Sequence, residues 1–333
     1  MKVVVSGDIL EDPAVEHWKL HRLLSYACEG RHHILFDPRA TLDRWLSTLD
    51  ARTRDDYERA VALSERGVGS LPTDAATVRV ELQGSCCWDD PTAILPLDDA
   101  LAVLGERLGV LVENADNDWS FLLGIMRPSE RALIQRWEAK GWLEALHGGG
   151  ATLLSRMLSR VAQPAVGLRT FVMFDSDRLH PDELEPSWTP ERPGLRPAAC
   201  PSFWWEQNTK AKLPLRYWRL RRRYIESYMP KAKLQQVGPP DAVTALYGPR
   251  MTQAGRWYFN MKDGFDQDQK RHDKERCGSL YDGLQDTERG ALGPGFGAKL
   301  ADLYVQAKSS NFAWDSEATQ EAAQALPRLF RLL

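Results

Sequence analysis

The stretch Thr170-Phe171-Val172-Met173-Phe174-Asp175-Ser176-Asp177 decides how this chain is read. Its first five residues are β-branched, apolar or aromatic, the pattern of a short strand buried on both faces of a mainly parallel sheet. Two aspartates close it. The region just past the C-terminal end of such a strand is where open α/β sheets place their ligands. One residue separates Asp175 from Asp177, so in extended backbone the two carboxylates point the same way. Carboxylates held that close repel unless a cation or a proton sits between them. The pair is therefore a candidate magnesium site. The same residues also suit a turn that only ends a strand, because Asp and Ser are common turn formers.

Upstream, Leu97 to Leu108 reads as a helix and Gly109 to Glu113 as a strand. Trp119 to Ile125 and Ser129 to Lys140 read as helices around a break at Pro128. Trp142 to His147 reads as a strand and Thr152 to Val161 as a helix. Strands alternating with helices imply βαβ units and a parallel sheet. Gly148, Gly149 and Gly150 allow close approach of backbone to a phosphate or to a neighbouring element. A plain loop fits them equally, since the lysine of a Walker sequence is absent.

Residues 1–90 read as a small α/β unit. Val3 to Val5 is a strand, and Pro13 to Cys28 is a helix with an apolar stripe at Val15, Trp18, Leu20, Leu23 and Leu24. A second strand runs from His32 towards Pro38. Thr41 is the expected N-cap of a helix reaching Leu49, a further helix covers Asp55 to Leu63, and Thr77 to Leu82 alternates like a half-exposed strand. Asp8 and Asp37 at strand ends would mark a vestigial nuclease-like unit. His17, His21, His32 and His33 lack the acidic helical partner of an HExxH zinc site.

Downstream, the prolines at 181, 186, 190, 193, 197, 201 and 214 make residues 179–214 an irregular insertion. Leu215 to Tyr228 reads as a basic helix, or as a strand passing into one. Residues 91–235 thus form a second unit. Residues 236–333 form a mostly helical C-terminal region that closes with a helix from Ser316 to Leu333.

The 333 residues carry a net charge of −3, with 43% hydrophobic and 27% charged residues, an ordinary globular balance. No apolar run approaches the roughly 18 residues needed to span a bilayer. Five cysteines without a CxxC pair point to a reducing cytoplasm and away from zinc. Residues 207–235 concentrate Lys210, Lys212, Arg216, Arg219, Arg221, Arg222, Arg223, Lys231 and Lys233. Such a basic block within a slightly acidic protein is what a nucleic-acid contact surface looks like, and a solvated helix face looks the same.

Glu113 closes one strand, Asp175 and Asp177 close another, and two helices, a strand and a glycine turn lie between. This order resembles the Toprim domain, the α/β catalytic unit of type II topoisomerases, bacterial-type primases and overcoming-lysogenization-defect (OLD) nucleases. That family carries a Glu at the end of its first strand and Asp-x-Asp at the end of its third. Leu220-Arg221-Arg222-Arg223-Tyr224-Ile225-Glu226-Ser227-Tyr228-Met229-Pro230 is similar to the RxxIENYL segment of the OLD-like group, with Ser227 in place of Asn. The resemblance covers residues 105–265. It implies a Toprim-like, mainly parallel sheet flanked by helices.

The resemblance further implies a metal-dependent nuclease acting on DNA or tRNA-like RNA with two magnesium or manganese ions. Glu113, Asp116, Asp175, Asp177 and Glu226 are the implied metal ligands. Asn114 and Asn117 stand near the family's second acidic position, which leaves Asp116 and Asp118 as candidates for it. Lys262 is the implied basic catalytic residue, and Arg219, Arg221, Arg222 and Arg223 the nucleic-acid contacts. Two ions can clamp the attacking and leaving oxygens of a phosphodiester, and magnesium takes one or two carboxylates each. The chain lacks GxxxxGK[ST], so the resemblance points to a separate ATPase or sensor protein, in bacterial anti-phage defence, with a homo-oligomer possible and no membrane. The other readings are a non-catalytic Toprim-like interaction or regulatory subunit, a primase or topoisomerase without the usual zinc ribbon or strand-passage tyrosine domain, and an Asp-x-Asp phosphatase.

Overall fold

The computed structural model describes residues 1–83, 86–87, 91–190, 200–270, 274–306 and 312–333. Two four-stranded sheets, parallel at every pairing, form its frame. The first contains β1 (Lys2–Ser6), β2 (His33–Asp37), β3 (Thr77–Glu81) and β4 (Thr92–Pro96), in the order β2-β1-β3-β4. The second contains β5 (Leu108–Val112), β6 (Leu143–His147), β7 (Thr170–Phe174) and β8 (Tyr217–Arg219), in the order β6-β5-β7-β8. Helices flank both, so the chain is α/β. Among the described residues 231–333 there are helices and no strand.

All five residues of β5 and of β7 are buried. The two faces explain why neither strand alternates with polar residues. Val110, Val112, Phe171 and Met173 join a core with Phe121, Leu122 and Ile134 from the helices Asn117–Ile125 and Pro128–Ala139. Leu111, Val172 and Phe174 point the other way, onto Leu153 and Met157 of the helix Leu153–Val161 and onto Trp205. Each such side chain contributes about 1.5–3 kcal/mol relative to exposure. A one-residue slip would exchange the two faces, so the register is fixed on both sides.

From β5 the chain crosses to β6 on one side, then returns over the opposite face to β7 on the other side. The gap between the C-terminal ends of β5 and β7 is therefore a topological switch point, where a crevice opens. The first sheet repeats this order and has its own switch point between β1 and β3. There the residues following the strands are Gly7 and Leu82, not carboxylates. Asp8 and Asp37 are both exposed.

Several local expectations change. β4 extends the first sheet past residue 90 to Pro96, with prolines at 91 and 96 that obscure its strand character in sequence. Thr41 lies within the helix Arg39–Leu46 and does not cap it. Asp50 caps the longer helix Ala51–Val68, its carboxylate accepting from the Thr53 amide (3.1 Å). The proline-rich segment is not wholly irregular. Pro201 starts a twelve-residue helix to Lys212, with Pro at its first position where no amide partner is lost. Pro193 and Pro197 lie outside the described residues. Leu215 to Tyr228 is not a helix. It is the three-residue β8, an irregular stretch and a single 3₁₀ turn, Ile225–Tyr228.

Candidate metal centre

The switch point of the second sheet gathers carboxylates from four separate stretches. Glu113 follows β5, and Asp175 and Asp177 follow β7. Asp118 sits in the first turn of the helix Asn117–Ile125, and Glu226 in the 3₁₀ turn. Backbone amides lock several of them. The Asp175 amide donates to Glu113 Oε1 (3.1 Å), the Ile225 amide to Asp175 Oδ1 (3.0 Å) and the Asn114 amide to Asp118 Oδ2 (2.8 Å). The glycine turn after β6 is pinned to the same place. The Gly148 amide donates to the Val112 carbonyl (2.6 Å) and the Gly149 amide to the Glu113 carbonyl (2.9 Å). A Cβ at Gly148 would lie 2.8 Å from the Val112 carbonyl oxygen, so only glycine permits this approach.

Asp177 does not continue the strand. Its φ is +52°, a left-handed conformation that Asp tolerates better than most residues, and its amide donates to the Arg223 carbonyl (3.2 Å). The expectation that both aspartates leave an extended backbone in the same direction therefore fails. The turn still leaves Asp177 close enough to Glu113 to repel it.

The electrostatics are those of crowded acids. Burial, then Asp177 and Asp118, push the Glu113 carboxyl up to about 8. Burial, opposed by the Asn114 amide and reinforced by Glu226, takes Asp118 to about 6. Burial and then Glu113, Asp118 and Glu226 raise Asp175 well above the carboxylate range. Asp177 is raised by burial, against the pull of Arg223 and Arg178. Lys262 Nζ lies 3.1 Å from Glu226 Oε1. Burial disfavours its charge, but Glu226 and Asp175 outweigh that and hold the ammonium above its ordinary pKa.

The donor chemistry, all carboxylate oxygens, is the kind a hard divalent cation takes. Five carboxylates lie around this switch point with Lys262 near them, and among the described residues the buried Glu226 Oε2 has no hydrogen-bond partner. A buried carboxylate oxygen left without a donor is costly, and a cation would satisfy it. As the side chains stand, no group of three or more His, Cys, Asp or Glu among the described residues is arranged to hold a metal ion.

The structure brings Glu113, Asp175, Asp177, Glu226 and Lys262 together. It does not bring Asp116, which is exposed beside the helix start while Asp118 turns inward. The arginine block divides. Arg223 is 2% exposed and makes a two-pronged pair with Asp268 (2.7 and 2.9 Å). Arg222 is 3% exposed and pairs with Asp315 (2.6 Å). Both are internal struts, so the expectation that they contact nucleic acid is corrected. Arg221 is exposed, and Arg219 is half-buried against Glu206 (3.1 Å).

Sequence reasoning missed the supports of the site. Arg178, 1% exposed, donates to Glu206 Oε2 (3.1 Å) and to the Ser176 carbonyl (3.2 Å), bracing the loop that carries Asp177. The Tyr304 hydroxyl donates to the Ile225 carbonyl (2.9 Å), bracing the turn that carries Glu226. Glu206 and Ile225 lie 28 and 79 residues from these partners, so no local pattern announces the pairs. No protein-family model, curated protein or solved structure matches this chain.

Proposed function

We propose that the chain is a metal-dependent nuclease that hydrolyses phosphodiester bonds of DNA or RNA. The observation that carries this is the convergence of Glu113, Asp118, Asp175, Asp177 and Glu226 on one switch point with Lys262 as the cation among them. Glu113, Asp118, Asp175, Asp177 and Glu226 would hold magnesium or manganese, two ions by the Toprim resemblance. Bound there, divalent ions supply an activated water and offset charge on the leaving oxygen. The Ile225 amide fixes the Asp175 carboxylate, and the Asp175 amide fixes Glu113, so neither reorganises as charge develops. Lys262 keeps its proton and adds positive charge beside Glu226. The resemblance implies a role in bacterial anti-phage defence beside a separate ATPase or sensor protein. Full activity of the isolated chain would count against that partner.

The test is incubation with plasmid DNA and with total tRNA, in manganese, in magnesium and in chelator, for the natural protein and Asp175→Ala. Cleavage should need the metal and vanish in the variant while its circular dichroism stays native. Full metal-dependent cleavage by Asp175→Ala would sink the assignment. A second reading, a non-catalytic Toprim-like interaction subunit, is favoured by the carboxylates' not being arranged as a closed ligand group. Calorimetric manganese binding without cleavage of either substrate would select it.

A further inference from the structure

A cavity of about 300 Å³ opens beside β8, one strand from the carboxylates. Its walls come from three distant stretches. Lys210 lies in the last turn of the helix Pro201–Lys212, Arg219 and Arg221 lie on and just past β8, and Arg328 lies on the helix Ser316–Phe330. These four cations face two carboxylates, Glu206 and Glu321. Both carboxylates are already engaged. Glu206 takes Arg178, Lys210 and Arg219 together (3.1, 2.8 and 3.1 Å). Glu321 accepts from the Trp218 ring nitrogen (3.0 Å), the Arg221 amide (2.8 Å) and the Tyr228 hydroxyl (2.7 Å). Among the described residues, Arg221 and Arg328 donate to neutral acceptors, the Gln324 side chain (2.7 Å) and the Tyr217 carbonyl (3.4 Å). Among the described residues its four cations thus outnumber its two carboxylates, and the cavity carries a positive excess.

Resting on the nuclease reading above, the geometry points to this cavity as the seat of a backbone phosphate of the polynucleotide, flanking the one to be cut. Arg219 is in register with Phe174, the residue before Asp175, so the cavity lies in line with the acidic centre across adjacent strands. Guanidinium groups suit phosphate because their planar donors grip two oxygens at once. The centre itself repels a polyanion until cations enter, so a separate cationic seat is what gives a nucleic acid its hold and its place. The residues differ from the four arginines expected to contact nucleic acid: Arg222 and Arg223 drop out, Lys210 of the same basic block joins, and Arg328 enters from elsewhere.

The test measures fluorescence-anisotropy binding of duplex DNA, single-stranded DNA and RNA across a salt series, all in an Asp175→Asn background that silences cleavage. Adding Arg221→Gln and Arg328→Gln should weaken binding about tenfold or more and lower the salt slope by about two for the preferred nucleic acid. Lysine at both positions should restore most of the slope. Arg59→Gln, exposed on the first unit, should change nothing. Arg221 is exposed and bonded to a neutral partner, so Arg221→Gln alone keeps the fold and should lower the slope by about one. Unchanged affinity and slope in that single variant overturns the proposal. So does displacement by a mononucleotide as effective as by the unlabelled polynucleotide. Cleavage by the natural protein is scored separately. Binding that behaves as stated without any cleavage defeats the nuclease reading and leaves the phosphate seat standing.

Discussion

Asp116 and Asp118 are two residues apart, and only one turns inward. In the first turn of a helix such a separation rotates the side chain by more than half a turn, so exposure of one goes with burial of the other. Asp118 is buried and repelled by Glu226, while Asp116 is exposed. Asp118→Asn should therefore cut manganese-dependent plasmid nicking by about 100-fold, the scale of losing a metal-site carboxylate, and Asp116→Asn should stay within about twofold. The reverse ranking would return the second acidic position to Asp116. Sequence spacing alone left both open because a helix start one residue earlier or later exchanges them.

The helix Pro201–Lys212 shows how an element supports the site without touching it. Glu206 on that helix is the common partner of Arg178, Lys210 and Arg219, and Arg178 follows Asp177 directly. Removing one member of a buried ion pair leaves the other charge unmet, at about 3–5 kcal/mol. Glu206→Ala should thus lower urea-unfolding stability by that order, and a loss below about 1 kcal/mol would show the network to be dispensable. The same physics explains why residues 219–223 mislead. A run of arginines reads as a solvated face, but Arg223 finds Asp268 45 residues on and Arg222 finds Asp315 93 residues on. Buried guanidinium groups need such partners, and the partners are invisible to any local window.

Across the whole molecule, the acids make stability depend on pH. Glu113 holds its proton up to about 8 in the folded chain, against 4.5 for the unfolded residue, and Asp118 up to about 6 against 3.8. Between those limits the folded state binds protons that the unfolded state has released, so stability falls as pH rises through the window. The metal-free protein should melt lower at about pH 8 than at about pH 5.5, and manganese should raise the melting temperature more at the higher pH, because it binds only the deprotonated, folded cluster. An equal manganese shift at both values, read by differential scanning fluorimetry, would remove the cluster as the binding site. The duplicated strand order of the two sheets adds a contrast. Gly7 and Leu82 stand where the second sheet has Glu113 and Asp175. Asp8→Ala and Asp37→Ala should therefore leave that metal-dependent shift unchanged, by the same fluorimetric assay.

The sequence by itself determined the α/β class, the strands β1, β2, β3, β5, β6 and β7, and the acidic ends of β5 and β7. These are local matters: a five-residue apolar run that must be buried on both faces, and carboxylates that a strand end must expose to a crevice. Tertiary structure alone decided the first sheet's fourth strand, the inward turn of Asp118, the left-handed turn at Asp177 and the burial of Arg222 and Arg223. Each of these depends on groups brought together from far along the chain. Whether a carboxylate meets another carboxylate or an arginine meets an acid is set by packing, and sequence distance carries no record of it. The pair after Thr170–Phe174 could be read as a turn or as a metal site; that Asp118 rather than Asp116 joins it is what the fold adds.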